Sequence, residues 1–211
     1  MAEEVSIPKP PPAALEQKLT PDEIEAFYDH SSPRAMAIVL GAIIEDHLTA
    51  LLRLLMRRDK TLADELFKPT GPIGPFGTKI RVAYMLRIID ERLYKDLLIV
   101  SRIRNRFAHD LAVKNFDDPQ IAAWVKNLHM YTTLKEMAAI AKERAKPGDM
   151  LSIAHHLILS NSLLSARDSY RECCRNFIHH LVDFENGIKA KEAEMNAKRQ
   201  PASPEPSPEK P

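Results

Sequence analysis

The stretch Arg104-Asn105-Arg106-Phe107-Ala108-His109 decides how the rest of this chain reads. It brings an arginine, an asparagine and a histidine onto six consecutive positions. Such a set can serve phosphate chemistry, or it can lock helices together as a buried polar clamp. Winding Leu93 to Leu111 at about 100° per residue gives one apolar stripe of Leu93, Leu97, Val100, Ile103, Phe107 and Leu111. Arg104 falls inside that stripe, and Arg102, Asn105 and His109 fall on the far side. Arg104 and His109 are then about 140° apart. Both can face one phosphate only if the helix ends or kinks near Ala108, or if two subunits share the site.

A second charged residue sits in a core-like place. On the segment Met36 to Met56 the apolar arc is wide, and Glu45 lies within it beside Ile38, Leu48 and Leu52; His47 is on the same face. A buried charge is costly unless paired. Glu45 and Arg104 are therefore expected to meet across a helix interface as a structural polar clamp.

Composition sets the outer bounds. The chain has 211 residues, 45% hydrophobic and 28% charged, which describes an ordinary globular domain with tails. Its formal net charge of +1 offers no global field for nucleic acid and argues against direct DNA binding. The two cysteines, Cys173 and Cys174, are adjacent, a spacing that seldom closes a disulfide and suits a reducing compartment. The start, Met1-Ala2-Glu3-Glu4, lacks the basic-then-apolar pattern of an export signal. The most apolar stretch, Ala35 to Met56, is interrupted by Glu45, Asp46, His47 and Arg53 and reads as a buried helix, not a membrane span. The expected address is the cytoplasm.

Apolar residues recur at three and four, and no alternating strand pattern occurs, so the core reads as helices alone. Thr20-Pro21-Asp22-Glu23 carries a cap, a proline and acidic residues in the order a helix start favours. Ser32-Pro33 opens a long helix to about residue 57, and a short one follows at Leu62 to Phe67. Thr78 is expected to cap a helix through Ile89, and the next spans Glu91 to about Leu111. Asp117-Asp118-Pro119 opens another, ending before Lys146-Pro147-Gly148. Asp149 or Ser152 opens the last helices, to about Ala197. The proline-rich ends, residues 1–19 and 196–211, cannot bury enough apolar surface to offset their ordering and are expected to be disordered.

Between two of these helices lies Pro69-Thr70-Gly71-Pro72-Ile73-Gly74-Pro75-Phe76-Gly77, with three of the six glycines in the chain. It follows no strand, lacks the Gly-Lys-Ser/Thr ending of a phosphate loop, and its prolines remove amides a phosphate cradle would need. A rigid connector is the expected role, with Lys79 and Arg81 just beyond it as candidate anion-binding residues. His155-His156 and His179-His180 diverge on a helix and lack metal-ligand spacing, so no metal site is expected. Trp124, Leu128 and Tyr131 share a helix face suited to a core or interface. Arg167, Arg171 and Arg175 are interleaved with Asp168 and Glu172 and read as a solvated, salt-bridged face.

Several of these stretches together resemble the mannitol repressor family of bacterial helical regulators. They are Phe67-Lys68-Pro69, Gly71-Pro72-Ile73-Gly74, Phe76 through Leu86, Ile103 through His109, and Ile43-Ile44-Glu45-Asp46-His47-Leu48. The resemblance is strongest over residues 33–115. It implies an all-helical fold and transcriptional control without a helix-turn-helix, hence regulation through a protein partner. The pattern Arg-Asn-x-x-x-His also resembles the HEPN superfamily (higher eukaryote and prokaryote nucleotide-binding domains), many of whose members are dimeric, metal-independent endoribonucleases. By that resemblance Arg104 would stabilise phosphorane charge, His109 would move protons, and Asn105 would orient the site.

The expectation is thus an all-α, HEPN-like single helical bundle over residues 20–195. The preferred function is a non-enzymatic, cytoplasmic, homodimeric regulator that works through a protein partner, with no cofactor and no membrane association. The alternative is a HEPN-type endoribonuclease acting on RNA through Arg104 and His109.

Overall fold

The computed structural model describes residues 31–144 and 165–199. Among them are seven α-helices and no strand: α1 (Pro33–Leu55), α2 (Lys60–Phe67), α3 (Phe76–Met85), α4 (Glu91–His109), α5 (Pro119–Lys126), α6 (His129–Arg144) and α7 (Ala166–Arg199). The expected helix start at Thr20, the tail at residues 1–19, residues 200–211 of the tail expected from 196 and the helix start at Asp149 or Ser152 lie outside the described residues; residues 196–199, expected to belong to that tail, continue α7 as helix.

α1 is the central element. Met36, Ala37, Leu40, Ile44, Leu48, Leu51 and Leu52 are all fully buried, and their spacing of three and four gives one continuous face. That face packs most extensively on α7 and next on α4. By length and composition α1 could also cross a membrane; here its apolar residues are used in helix packing. α4 contributes Leu97, Val100, Ile103 and Phe107 to the same core. α7 contributes Tyr170, Cys173, Cys174, Phe177 and Leu181. Phe107, Phe116 and Tyr170 form an aromatic row with ring centroids 4.9 and 5.0 Å apart, joining α4, the loop after it and α7.

Local chemistry sets the helix ends. Asp59, Asp90 and Asp118 each accept from amides in the first turn of the helix that follows, and Pro119 takes the first position of α5. In the loop before α3, the amides of Gly71, Ile73 and Gly74 donate to Lys68, Leu66 and Gly71 carbonyls at 2.7, 3.0 and 3.0 Å. A Cβ on Gly74 would press into the Lys68 carbonyl, so only glycine lets the loop fold this tightly.

Four boundaries differ from the sequence expectation. α3 starts at Phe76, and Thr78 lies inside it. Pro75, with φ −66° and ψ 138°, stands at the N-cap without a side-chain cap. α3 ends at Met85, four residues before Ile89. There Arg87 and Ile88 donate to the Tyr84 and Ala83 carbonyls, both at 2.9 Å, and Arg87 takes φ 58°. That is the glycine-favouring C-terminal motif built around an arginine, which hides the stop signal from sequence. α4 ends at His109, so Leu111 leaves the apolar stripe and is 83% exposed. The helix expected from Asp117 to Lys146 is two helices, α5 and α6, broken at Asn127 and Leu128.

The break has a tertiary cause. Asp96, only 2% exposed on α4, turns its carboxylate onto the start of α6. The amides of His129 and Met130 donate to it at 2.8 and 3.0 Å, and His129 Nδ1 lies 2.8 Å from the same group. A distant carboxylate thus satisfies orphan donors that a local cap would otherwise take.

The left-handed turn yields a stability prediction. Arg87→Gly removes the steric cost of a side chain at positive φ, partly offset by greater freedom of the unfolded chain. Urea denaturation is expected to show a gain of about 0.5–1 kcal/mol.

Candidate functional site

The central stretch of α4 divides between two faces. Arg104 points inward: its Nη1 donates to Glu45 Oε2 on α1 at 2.7 Å. The other carboxylate oxygen, Oε1, accepts from Lys79 Nζ on α3 at 2.8 Å. One carboxylate therefore bridges two cations and ties three helices together. The side chains of Lys79, Glu45 and Arg104 are 9, 15 and 27% exposed, so water screens the group unequally. The Arg104 guanidinium also sits 5.7 Å from the centroid of the Phe76 ring, within cation–π range.

Gly41 makes this approach possible. A Cβ built there would lie 2.8 Å from Arg104 Cδ and 3.2 Å from its Cβ and Cγ. The bare backbone of α1 is the groove in which the arginine stem runs. Arg34, at the start of α1, holds the end of α4 from the other side. Its guanidinium donates to the carbonyls of Phe107, of Asp110 at 3.1 Å and of Val113 at 2.9 Å. A cation at the carbonyl end of a helix also suits the helix dipole.

Asn105 and His109 point the other way. With Arg102, Arg106, Asp110 and Trp124 they line an open surface depression of about 490 Å³. Arg106 Nη1 pairs with Asp110 Oδ2 at 3.0 Å. Arg104 is not part of that lining. The three residues of the Arg-Asn-x-x-x-His pattern are thus split between an interior ion pair and an outer face, as regular helical winding requires.

Of the candidate anion-binding residues, Lys79 is 7% exposed and committed to Glu45. Arg81 is exposed and donates to the Gly77 carbonyl in its own helix at 3.0 Å. The two do not converge on the glycine loop. His47 Nδ1 lies 3.6 Å from Glu185 Oε2 on α7, and Lys189 Nζ donates to Glu185 Oε1 at 2.6 Å. Burial pushes the thiols of Cys173 and Cys174 well above their ordinary range, as it does the Tyr170 hydroxyl; neither thiol is poised to react. His179 and His180 are exposed, while His155 and His156 lie outside the described residues. Arg171 and Arg175 lie 3.9 and 3.8 Å from Asp168 and Glu172.

Sequence reasoning missed Lys79 as a partner of Glu45, and missed Gly41, Arg34 and Asp96. Two of these left a signal. A lone glycine inside a helix costs about 1 kcal/mol and asks for a packing reason. A cation at the positive end of a helix, where Arg34 sits, asks for a partner elsewhere.

Glu45→Ala leaves two partly buried cations without their shared anion. The expected loss is about 3 kcal/mol in urea denaturation. Adding Lys79→Met to Glu45→Ala should recover part of it by removing one of those cations. Gly41→Ala should cost about 1–3 kcal/mol by displacing the Arg104 stem. An unchanged midpoint in Glu45→Ala would show that the bridge contributes nothing to stability.

Comparison with known proteins places this geometry. The family model described as mannitol repressor matches residues 21–168. A chain in the X-ray structure of the MtlR-HPr complex from Escherichia coli aligns with a TM-score of 0.54 at 17% identity, covering 75% of this chain and 94% of that one. The crystal structure of a possible transcriptional regulator, YggD from Shigella flexneri 2a, aligns with a TM-score of 0.53 at 18% identity, covering 77% and 97%. No curated protein matches the chain significantly. At these identities the structural likeness speaks for the shared helical fold. The sequence match extends over well more than half of the chain, from before α1 into α7, and on that ground the chain belongs to the mannitol repressor family.

Proposed function

We propose that this chain is a transcriptional regulator that acts through a protein partner, without catalysis, as a cytoplasmic homodimer with one helical domain over residues 20–195. Membership of the mannitol repressor family over residues 21–168 carries the reading. The structural neighbour solved as the MtlR-HPr complex adds a precedent for a protein partner on this fold. A formal net charge of +1 supports partner-mediated control over direct DNA binding. Two free, buried cysteines suit a reducing compartment.

The Glu45–Arg104 contact supports a structural role for Arg104. An endoribonuclease reading needs Arg104 and His109 at one phosphate, one to stabilise charge and one to move a proton. Arg104 faces Glu45, and His109 lines a depression that Arg104 does not reach. This separation favours the regulator.

Full-length protein should run in light scattering at twice its 23.9 kDa chain mass. It should retain purified HPr in a pull-down, and deletion of its gene should change the cell's transcripts. A monomeric protein that retains no HPr and whose loss leaves transcripts unchanged would overturn the reading. Metal-free cleavage of RNA, abolished by both Arg104→Ala and His109→Ala in folded protein, would establish the enzyme instead.

A further inference from the structure

We propose that the turn between α3 and α4 is the face through which two copies of this chain associate, with Met85 and Leu86 at its centre and Arg87 of each copy paired with Asp90 of the other. The inference rests on the homodimer reading above and assigns its interface.

Met85 and Leu86 close α3 and are 77 and 52% exposed, so two adjacent large apolar side chains stand in water. With Tyr84, Arg87, Ile89 and Asp90, Met85 lines an open depression of about 500 Å³. Tyr84 stacks on Tyr94 of α4, with centroids 4.5 Å apart and planes 20° from parallel, which fixes that wall before any partner arrives. Methionine, tyrosine and arginine are the types that gather at the centres of protein interfaces. A methionine this exposed is a knob, and a small ligand would leave most of it in water. A second protein surface covers it.

Arg87 gives an independent sign. Its φ of 58° is a conformation that glycine takes without steric cost. Its side chain is exposed and makes no hydrogen bond or ion pair among the described residues. The backbone there bears strain for a guanidinium that contributes nothing inside the fold. Asp90, three residues on, is exposed as well; its Oδ1 caps α4 by accepting from the Leu93 amide at 2.8 Å. Neighbouring charges are already engaged. Glu91 pairs with Lys95 at 2.7 Å, and Arg81 donates to the Gly77 carbonyl of its own helix. The depression therefore carries one cation and one anion beside an apolar centre. Such a surface complements itself: a twofold axis near Met85 sets Arg87 against Asp90 of the second copy, twice. A partner charged with one sign only would leave one of the two unmet.

Sedimentation of the full-length protein over a range of concentrations gives the dimer dissociation constant. Met85→Ala should weaken it by about tenfold or more, because each substitution removes apolar contact from both copies. Arg87→Gly relieves the strained backbone and should leave the fold at least as stable, yet weaken the dimer by about threefold or more. Asp90→Asn keeps a capping side chain, loses the charge and should do the same. Mixing Arg87→Gly with Asp90→Asn should give a heterodimer tighter than either variant alone, since one of the two Arg87–Asp90 pairs is then whole. A purely structural role for either residue would not produce that rescue. A dimer whose dissociation constant is unchanged in Met85→Ala and Arg87→Gly overturns this interface and leaves the homodimer reading standing. A protein that stays monomeric at every concentration overturns both. Variants that dimerise normally but no longer retain HPr would give the face to a different protein, and so overturn the proposal as well.

Discussion

One carboxylate inside a cluster of helices constrains much of this structure. Glu45 receives Arg104 from α4 and Lys79 from α3, one on each oxygen. A single ion pair would fix the spacing of two helices. A shared anion ties three at once, because either cation that moves away leaves one oxygen of the half-buried carboxylate without its donor. The arrangement needs Gly41, whose missing side chain lets the arginine stem lie against α1. Net stabilisation from such groups is modest, since desolvation offsets much of the attraction. What they contribute more reliably is register: an apolar face can slide, whereas a charged donor held to one carboxylate oxygen has few acceptable positions.

The same device recurs at helix ends. Arg34 reaches the carbonyl end of α4, and Asp96 reaches the amide start of α6. In both cases the complementary charge arrives from another helix. Local caps at Asp59, Asp90 and Asp118 set where single helices begin. Imported caps set how those helices sit against each other. Because Arg104 serves this internal framework, the outer face of α4 is left to Arg102, Asn105, Arg106 and His109.

The all-helical class was legible because apolar spacing and capping residues agreed over most of the described chain. The inward turn of Arg104 and the outward turn of Asn105 and His109 followed from winding alone, as did the core stripe from Leu93 to Phe107. Boundaries at Met85 and Asn127 were not legible. The first depends on an arginine in a backbone conformation that normally announces itself with glycine. The second depends on Asp96, 33 residues upstream of the amide it caps. The partner of Lys79 was hidden for a related reason: charge just past a proline-glycine connector suggests an exposed anion site, and only the packing of α3 against α1 turns it inward. Long-range pairing of this kind leaves no periodic trace.

The order of the helices along the chain also matters for synthesis. α1 packs most extensively on α7, the last helix described, and an ion pair between Arg58 and Glu192 spans 134 residues. On the ribosome, the greasiest helix is made early and its main cover arrives last. Until then the part of its face that α7 covers is open to chaperones or to a neighbouring nascent chain. Shortening the final helix would therefore harm yield and solubility more than its mostly polar surface suggests.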